Sequence, residues 1–123
     1  MIKKYTFLLV AFICSGLSVY GQGSESFTNI PTSSPNTYQP RIWTGDDGTI
    51  WNATNARTDQ TLNGRAICLN NSGFVTSSNY SSGIGMLSFT YARAFTGTAP
   101  RSITVWVNGL QWGSTINVSP TSD

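Results

Sequence analysis

Five carboxylates are the side chains in this sequence that could most directly carry out acid–base chemistry, and they are Glu25, Asp46, Asp47, Asp59 and Asp123. A glycosidase needs two carboxyl groups about 5 to 9.5 Å apart, one of them with a raised pKa. Two of the five acids lie in a single turn, so few such pairs are available. The chain has no His, which excludes a Ser-His-Asp triad, a Cys-His pair and a His-ligated zinc site. We therefore expect that the protein is not an enzyme.

Tryptophan is the second residue type with chemistry to offer, because an indole ring can stack on the apolar face of a sugar. Trp106 alternates with Ile and Val in a predicted strand, so its side chain is expected on the outward, Ser/Thr face. Trp112, Tyr80 or Tyr38 could complete a glycan-binding platform with it. The alternative is that Trp106 packs in a second layer or against a neighbouring domain, since Trp is commonly only partly buried.

The cationic and thiol side chains indicate neither nucleic-acid binding nor catalysis. Arginines are scattered and form no basic stripe, so nucleic acid is not an expected partner. Cys68 lies in a short apolar run with only Arg65 as a nearby charge. A reactive thiol needs a base or a positive environment, so we expect Cys68 to be a small buried hydrophobic residue.

The first residues have the pattern of an export signal of the bacterial Sec type. Lys3 and Lys4 precede an apolar stretch at 7–13, and small residues at 19 and 21 predict cleavage before Gln22. The apolar stretch is too short to span a bilayer. The predicted organisation is a signal peptide at 1–21 and one secreted module at 22–123, with no membrane span in the processed chain.

Short β-prone runs separated by Gly, Asn, Ser and Pro predict an antiparallel β-sandwich. Asp47-Gly48, Asn63-Gly64 and Asn108-Gly109 are the expected hairpin turns, because Asn-Gly and Asp-Gly favour positive φ. The predicted strands are 25–30, 40–44, 49–53, 65–70, 73–77, 86–95, 102–108 and 110–118.

Residue alternation predicts which side chains form the core. Leu87, Phe89 and Tyr91 share one face of their strand, and an aliphatic face is likewise expected in strand 102–108. We expect a core of Ile, Val, Leu and Phe between two facing sheets. Trp43 and Trp51 flank a turn and are expected in the core or as cross-strand partners.

A set of short motifs points to a known group of modules. They are ESFTNIP at 25–31, WTGDDGTIW at 43–51, NGRAI at 63–67, GIGMLSF at 83–89 and VWVNG at 105–109. Their order resembles the jelly-roll accessory modules of secreted Bacteroidetes proteins, a group similar to choice-of-anchor, cleaved-adhesin and MAM-like β-sandwiches. The resemblance covers residues 25–118, and it implies a non-catalytic module.

The resemblance also implies a metal site and an incomplete sandwich. Related adhesin modules bind structural calcium through an early Glu and a Gly-Asp loop, which by position are Glu25, Asp46 and Asp47. The alternative is that the two aspartates only form a turn. The family pattern continues with closing strands beyond Asp123, so we expect a module truncated at its C-terminus and lacking its last strands.

These observations predict a secreted, non-catalytic binding or spacer module that is adhesive or binds glycans, or that contacts a neighbouring domain. The alternative is the N-terminal accessory part of an extracellular nuclease or other hydrolase whose catalytic domain is absent from this chain.

Overall fold

The computed structural model describes residues 23–81 and 83–119, and within them all regular secondary structure is β-strand. The predicted signal peptide lies outside the described residues. The all-β, antiparallel fold class is confirmed, and the architecture is consistent with a β-sandwich-like fold. No helix able to cross a bilayer occurs in these two ranges. The strands are β1 (Gln39–Thr44), β2 (Ile50–Thr61), β3 (Arg65–Leu69), β4 (Val75–Ser77), β5 (Arg101–Ile103), β6 (Trp106–Val107), β7 (Leu110–Gln111) and β8 (Ile116–Val118).

The main sheet is built around the long strand β2. Strand β1 pairs antiparallel along one edge of β2, while β3 and β4 share the other edge, each pairing with a different half of β2. Two smaller antiparallel pairs, β5–β8 and β6–β7, follow in the C-terminal part of the chain.

The three predicted hairpin turns are confirmed, because each contains residues with the positive φ that a tight turn needs. Gly48 has a φ of 85° between β1 and β2. Asn63 and Gly64 have φ values of 53° and 136° between β2 and β3, and Asn108 and Gly109 have values of 52° and 77° between β6 and β7. Local sequence alone therefore determines these chain reversals.

A bulge in the middle of β2 changes which of its side chains face the core. Asn55 has a φ of 49°, and its amide group donates to the carbonyl of Asn70 at 3.0 Å. Ala53 is buried before this point, whereas Ala56 and Thr58 are buried after it, so the odd–even alternation shifts by one residue. The bulge lets one strand bury residues of both parities.

The core forms where segment 23–38 packs on the main sheet. Ile30 from that segment is buried against Trp43, Ala53 and Ala56 from β1 and β2. Trp43 and Trp51 are register partners whose rings stack at 6.2 Å with 9° between their planes, as expected for core and cross-strand positions. Partly buried hydrophobic residues around this cluster are Phe27, Trp51, Ile67 and Val75.

Two predicted strands are wrong. Residues 25–30 form turns, and residues 86–95 pair with no other strand among the described residues. Leu87, Phe89 and Tyr91 are 45%, 44% and 44% exposed, so their predicted place in the core is also wrong. Alternation predicts an extended segment correctly, but a β-strand also needs a neighbour to accept its hydrogen bonds.

Candidate functional site

The Asp-Gly turn between β1 and β2 gathers the acids that the family resemblance indicated. We call Glu25, Asp46, Asp47 and Tyr80 the acidic turn. Glu25 bridges segment 23–38 to this turn: its Oε1 accepts from the amide of Phe27 at 2.7 Å, and its Oε2 accepts from the amide of Asp46 at 3.2 Å. Glu25 therefore joins the N-terminal segment to the hairpin.

Asp46 closes the same connection from the other side. Its Oδ2 accepts from the amide of Ser26 at 2.8 Å, and its Oδ1 accepts from the Asn29 side-chain amide at 3.3 Å. Gly45 lets the Glu25 carboxylate and the Trp51 indole approach the turn closely. A Cβ at residue 45 would lie 2.7 Å from the Trp51 indole nitrogen and would also overlap the Glu25 carboxylate. The fold of segment 23–38 thus depends on a glycine beside two carboxylates.

Asp47 stabilises the turn itself. Its Oδ1 accepts from the amide of Thr49 at 2.9 Å, and its Oδ2 accepts from the Tyr80 hydroxyl at 3.4 Å. The hydrogen bonds from Thr49, followed by the weaker one from Tyr80, hold the pKa of Asp47 below its usual range. Tyr80 was predicted as part of a glycan platform, and the structure places it in the acidic turn instead.

The acidic turn contains the three predicted calcium ligands, but their oxygens already accept hydrogen bonds. Both oxygens of Glu25, Asp46 and Asp47 accept from groups of their own neighbourhood. Within residues 23–81 and 83–119, no three His, Cys, Asp or Glu side chains converge as a metal site would require. Calcium prefers six to eight oxygen ligands, so the geometry adds no support to the calcium prediction.

Chelation and mutation separate a structural carboxylate from a metal ligand. We expect Asp46→Asn to lower the melting temperature, because the amide group replaces one acceptor oxygen by a donor that faces other donors. We expect a calcium chelator to leave the melting temperature of the unmodified chain unchanged in thermal denaturation followed by circular dichroism. A chelator-sensitive melt that Asp46→Asn abolishes would restore the calcium prediction.

The β6–β7 hairpin, which we call the tryptophan hairpin, carries the two predicted glycan-binding tryptophans on opposite faces. Trp106 pairs with Gln111 and Val107 pairs with Leu110, so Trp106 and Gln111 share one face. Trp112 lies on the other face, where it lines an open depression of about 190 Å³ with Val107 and Ile84. The structure therefore does not bring Trp106, Trp112 and Tyr80 into one platform.

Trp106 nevertheless lies as predicted, on the outward face of its strand. Its side chain is 60% exposed, while Ile103, Val105 and Val107 are half-buried. The indole Nε1 donates to the Thr104 hydroxyl at 3.0 Å, which fixes the ring along the strand surface. An exposed aromatic ring is thus held in one orientation before any ligand arrives.

A cluster around Arg57 was not foreseen from the sequence. The Arg57 guanidinium lies 5.5 Å from the Tyr38 ring centroid and 5.1 Å from that of Phe95, and it forms a two-pronged ion pair with Asp59. The hydrogen bonds from Arg57 hold the pKa of Asp59 well below its usual range, and Asp59 in turn raises that of Arg57. The Arg-x-Asp spacing on one strand face was the available signal.

Cys68 lies beside this cluster as a buried residue, which confirms its expected place in the interior. The Tyr38 hydroxyl is 3.7 Å from its sulfur. Burial, and then the contact with Cys68, raises the pKa of Tyr38. The buried thiol therefore contacts a phenol hydroxyl.

Comparison with known proteins adds no relative. No family model, curated protein or solved structure matches this chain. The resemblance to jelly-roll accessory modules stays a prediction. The tryptophan hairpin is the candidate site, because its exposed Trp106 ring is held in one orientation and the residues around that ring are polar.

Proposed function

We propose that the protein is a secreted, non-catalytic binding module of the jelly-roll accessory type, and that the Trp106 face of the tryptophan hairpin stacks on a glycan. The observation that carries the proposal is the combination of exposure and fixed orientation at Trp106. An indole side chain usually packs against its neighbours and so becomes less exposed. A ring that a hydrogen bond already fixes in an exposed orientation offers a flat apolar surface, and binding a ligand then costs little further side-chain entropy.

Polar groups around Trp106 suit the hydroxyl groups of a sugar. Thr104 and Asn108 lie on the same strand face and are exposed, and Gln111 is the cross-strand partner of Trp106. The Gln111 side-chain amide donates to the carbonyl of Gly113 at 3.2 Å, and its oxygen can accept from a sugar hydroxyl. Stacking beneath a sugar ring and hydrogen bonds at its rim can therefore act on one ligand.

The non-catalytic part of the proposal is supported by the state of the acids. The four carboxylates in the described ranges all accept hydrogen bonds from neighbouring groups. Those whose pKa is shifted, Asp47 and Asp59, are shifted downward, away from the raised value that a general acid needs. The chain also has no His to act as a base. Binding is the work that these side chains can do.

Replacing Trp106 by alanine tests the proposal directly. We expect Trp106→Ala to weaken retention in polysaccharide affinity gels about tenfold, because a lost aromatic stack is worth about 1.5 kcal/mol. Trp106→Phe keeps a ring and is expected to retain part of the binding. The melting temperature should not change, since the side chain is mostly exposed.

Trp112→Ala is the matched control on the opposite face of the same hairpin. It should lower the melting temperature by removing one wall of the depression that Val107 and Ile84 also line, yet leave glycan retention unchanged. Equal loss of retention in both variants would indicate a general effect on the hairpin. A flat glycan array for the unmodified chain would remove the glycan ligand and favour a spacer role.

A further inference from the structure

Residues 84–95, which we call the unpaired segment, have the side chains of a β-strand but no partner strand. No turn or bend interrupts residues 86–94, and none of them has a positive φ. No residue from 84 to 100 exchanges a backbone hydrogen bond with another backbone group in the described part of the chain. The Phe95 carbonyl accepts from Arg93 Nε at 3.1 Å, at the bend that ends the segment. An extended backbone without ladder hydrogen bonds, as at residues 86–94, is a template for another strand.

The side chains of the unpaired segment are apolar as well as exposed. The ring centroids of Phe89 and Tyr91 lie 5.9 Å apart on one face of the segment, which is close to the spacing expected for alternate residues of an extended chain. Such a continuous apolar row on a soluble protein marks an interaction surface. The large hydrophobic residues that are more than two-fifths exposed here are Ile84, Met86, Leu87, Phe89, Tyr91 and Phe95.

The sequence of the segment is complementary to itself in the antiparallel direction. If two copies pair about a two-fold axis at Thr90, each Phe89 faces a Tyr91 of the other copy, and Thr90 faces Thr90. Aromatic pairs and Thr–Thr pairs are both favourable across antiparallel strands. A second copy of this chain therefore satisfies the three central positions 89–91 in one register.

The outer positions of the same register are matched in size and charge. Met86 faces Ala94, so that a large side chain meets a small residue. Arg93 faces Leu87, which keeps the two arginines about 20 Å apart along the strands. No like charges meet in this register.

The segment also brings apolar side chains to the contact, three aromatic and three aliphatic in each copy. Cross-strand contacts cover part of their area when the two strands pair. A two-fold contact is also closed, because each copy contributes its unpaired segment once.

We propose that the protein forms a symmetric dimer in which the unpaired segments of two copies pair as antiparallel β-strands in register about Thr90. This interface is separate from the Trp106 face of the tryptophan hairpin. A dimer consequently presents two glycan-binding faces, which would raise avidity for a repeating ligand. The dimer itself does not depend on glycan binding.

A cysteine placed at the symmetry axis tests the register. In the full-length chain, Thr90→Cys puts two sulfurs on directly opposed residues, whose Cα atoms are about 4.5–5.5 Å apart and can form a disulfide. Ser88→Cys is the matched control, because residue 88 is on the same face and equally exposed, but the two copies lie about 14 Å apart in this register. We expect oxidation to yield a covalent dimer from Thr90→Cys and not from Ser88→Cys.

Sedimentation velocity at micromolar concentrations tests the dimer independently of any disulfide. We expect the unmodified chain to sediment as a dimer and Thr90→Pro to sediment as a monomer, because proline removes a ladder donor at the centre of the pairing. Thr98→Pro, outside the segment, should leave the dimer intact. A monomeric unmodified chain, open-ended aggregates, a mixed complex with another protein in place of the dimer, or equal cross-linking of both cysteine variants would overturn the proposal.

Discussion

Replacing Arg41 by methionine is expected to lower the free energy of unfolding by about 3 kcal/mol. Arg41 is 3% exposed, and its guanidinium donates at 2.7–3.2 Å to four backbone carbonyls. None of these four acceptors is a carboxylate. Methionine fills a similar volume but leaves those acceptors without donors in a buried place. The four carbonyls belong to Ala56, Ser33, Ser34 and Thr37.

Urea unfolding followed by circular dichroism measures this effect, and two variants give its controls. Arg41→Lys should retain only part of the stability, because an ammonium group cannot reproduce the planar fork of donors. Arg101→Met replaces an exposed arginine and should change the stability by less than about 0.5 kcal/mol. A loss at Arg41→Met no greater than that at Arg101→Met would show that segment 33–37 does not depend on Arg41.

The buried position of Arg41 could not be predicted from the sequence. Arg41 and Trp43 point to the buried face of β1, whereas Ile42 between them is 65% exposed. A hydrophobicity pattern would place Ile42 inside and Arg41 outside, which is the reverse of their positions in the structure. Three of the four carbonyls that accept from Arg41 come from a loop that packs over the sheet only in the folded chain, so no local pattern could reveal them.

Features fixed by neighbouring residues were predictable. The Asp-Gly and Asn-Gly turns formed where expected, since the positive φ they need is a property of those residues themselves. The turn at Asn108-Gly109 also indicates on which faces of the hairpin the two tryptophans lie. A two-residue loop there pairs position 105 with 112 and position 106 with 111, which by itself places Trp112 and Trp106 on opposite faces.

Features that depend on distant partners were not predictable. Strand pairing of residues 86–95 requires a neighbour that periodicity cannot identify, and segment 25–30 lost its predicted strand to a set of turns held by Glu25 and Asp46. Tyr80 joined the acidic turn through one hydrogen bond to Asp47. In each case the structure depends on a polar side chain or on a missing neighbouring strand. The prediction had relied on the local sequence pattern, which shows neither.

Replacing Trp43 by alanine is the other change with a large expected effect. Trp43 is 5% exposed, and its ring contacts Phe27 at 6.0 Å and stacks on Trp51. Its neighbours on the sheet are the small residues Ala53 and Ala56, which cannot move in to fill the space. We expect a loss of about 3–5 kcal/mol, the range found when a buried Trp or Phe is cut back to alanine.

Two further variants show whether this loss comes from the cavity or from the stacked rings. Trp43→Phe keeps an aromatic ring over Ala53 and Ala56, so it should cost less than half as much as Trp43→Ala in urea unfolding. Trp51→Ala removes the stacking partner but empties a partly exposed position, and a smaller loss is expected there. If Trp51→Ala proved as costly as Trp43→Ala, the stack between β1 and β2, rather than the contact of segment 23–38 with the sheet, would be the main source of stability. The expected order places that source at the Trp43 side chain, where Ile30 and Phe27 of the N-terminal segment meet the main sheet.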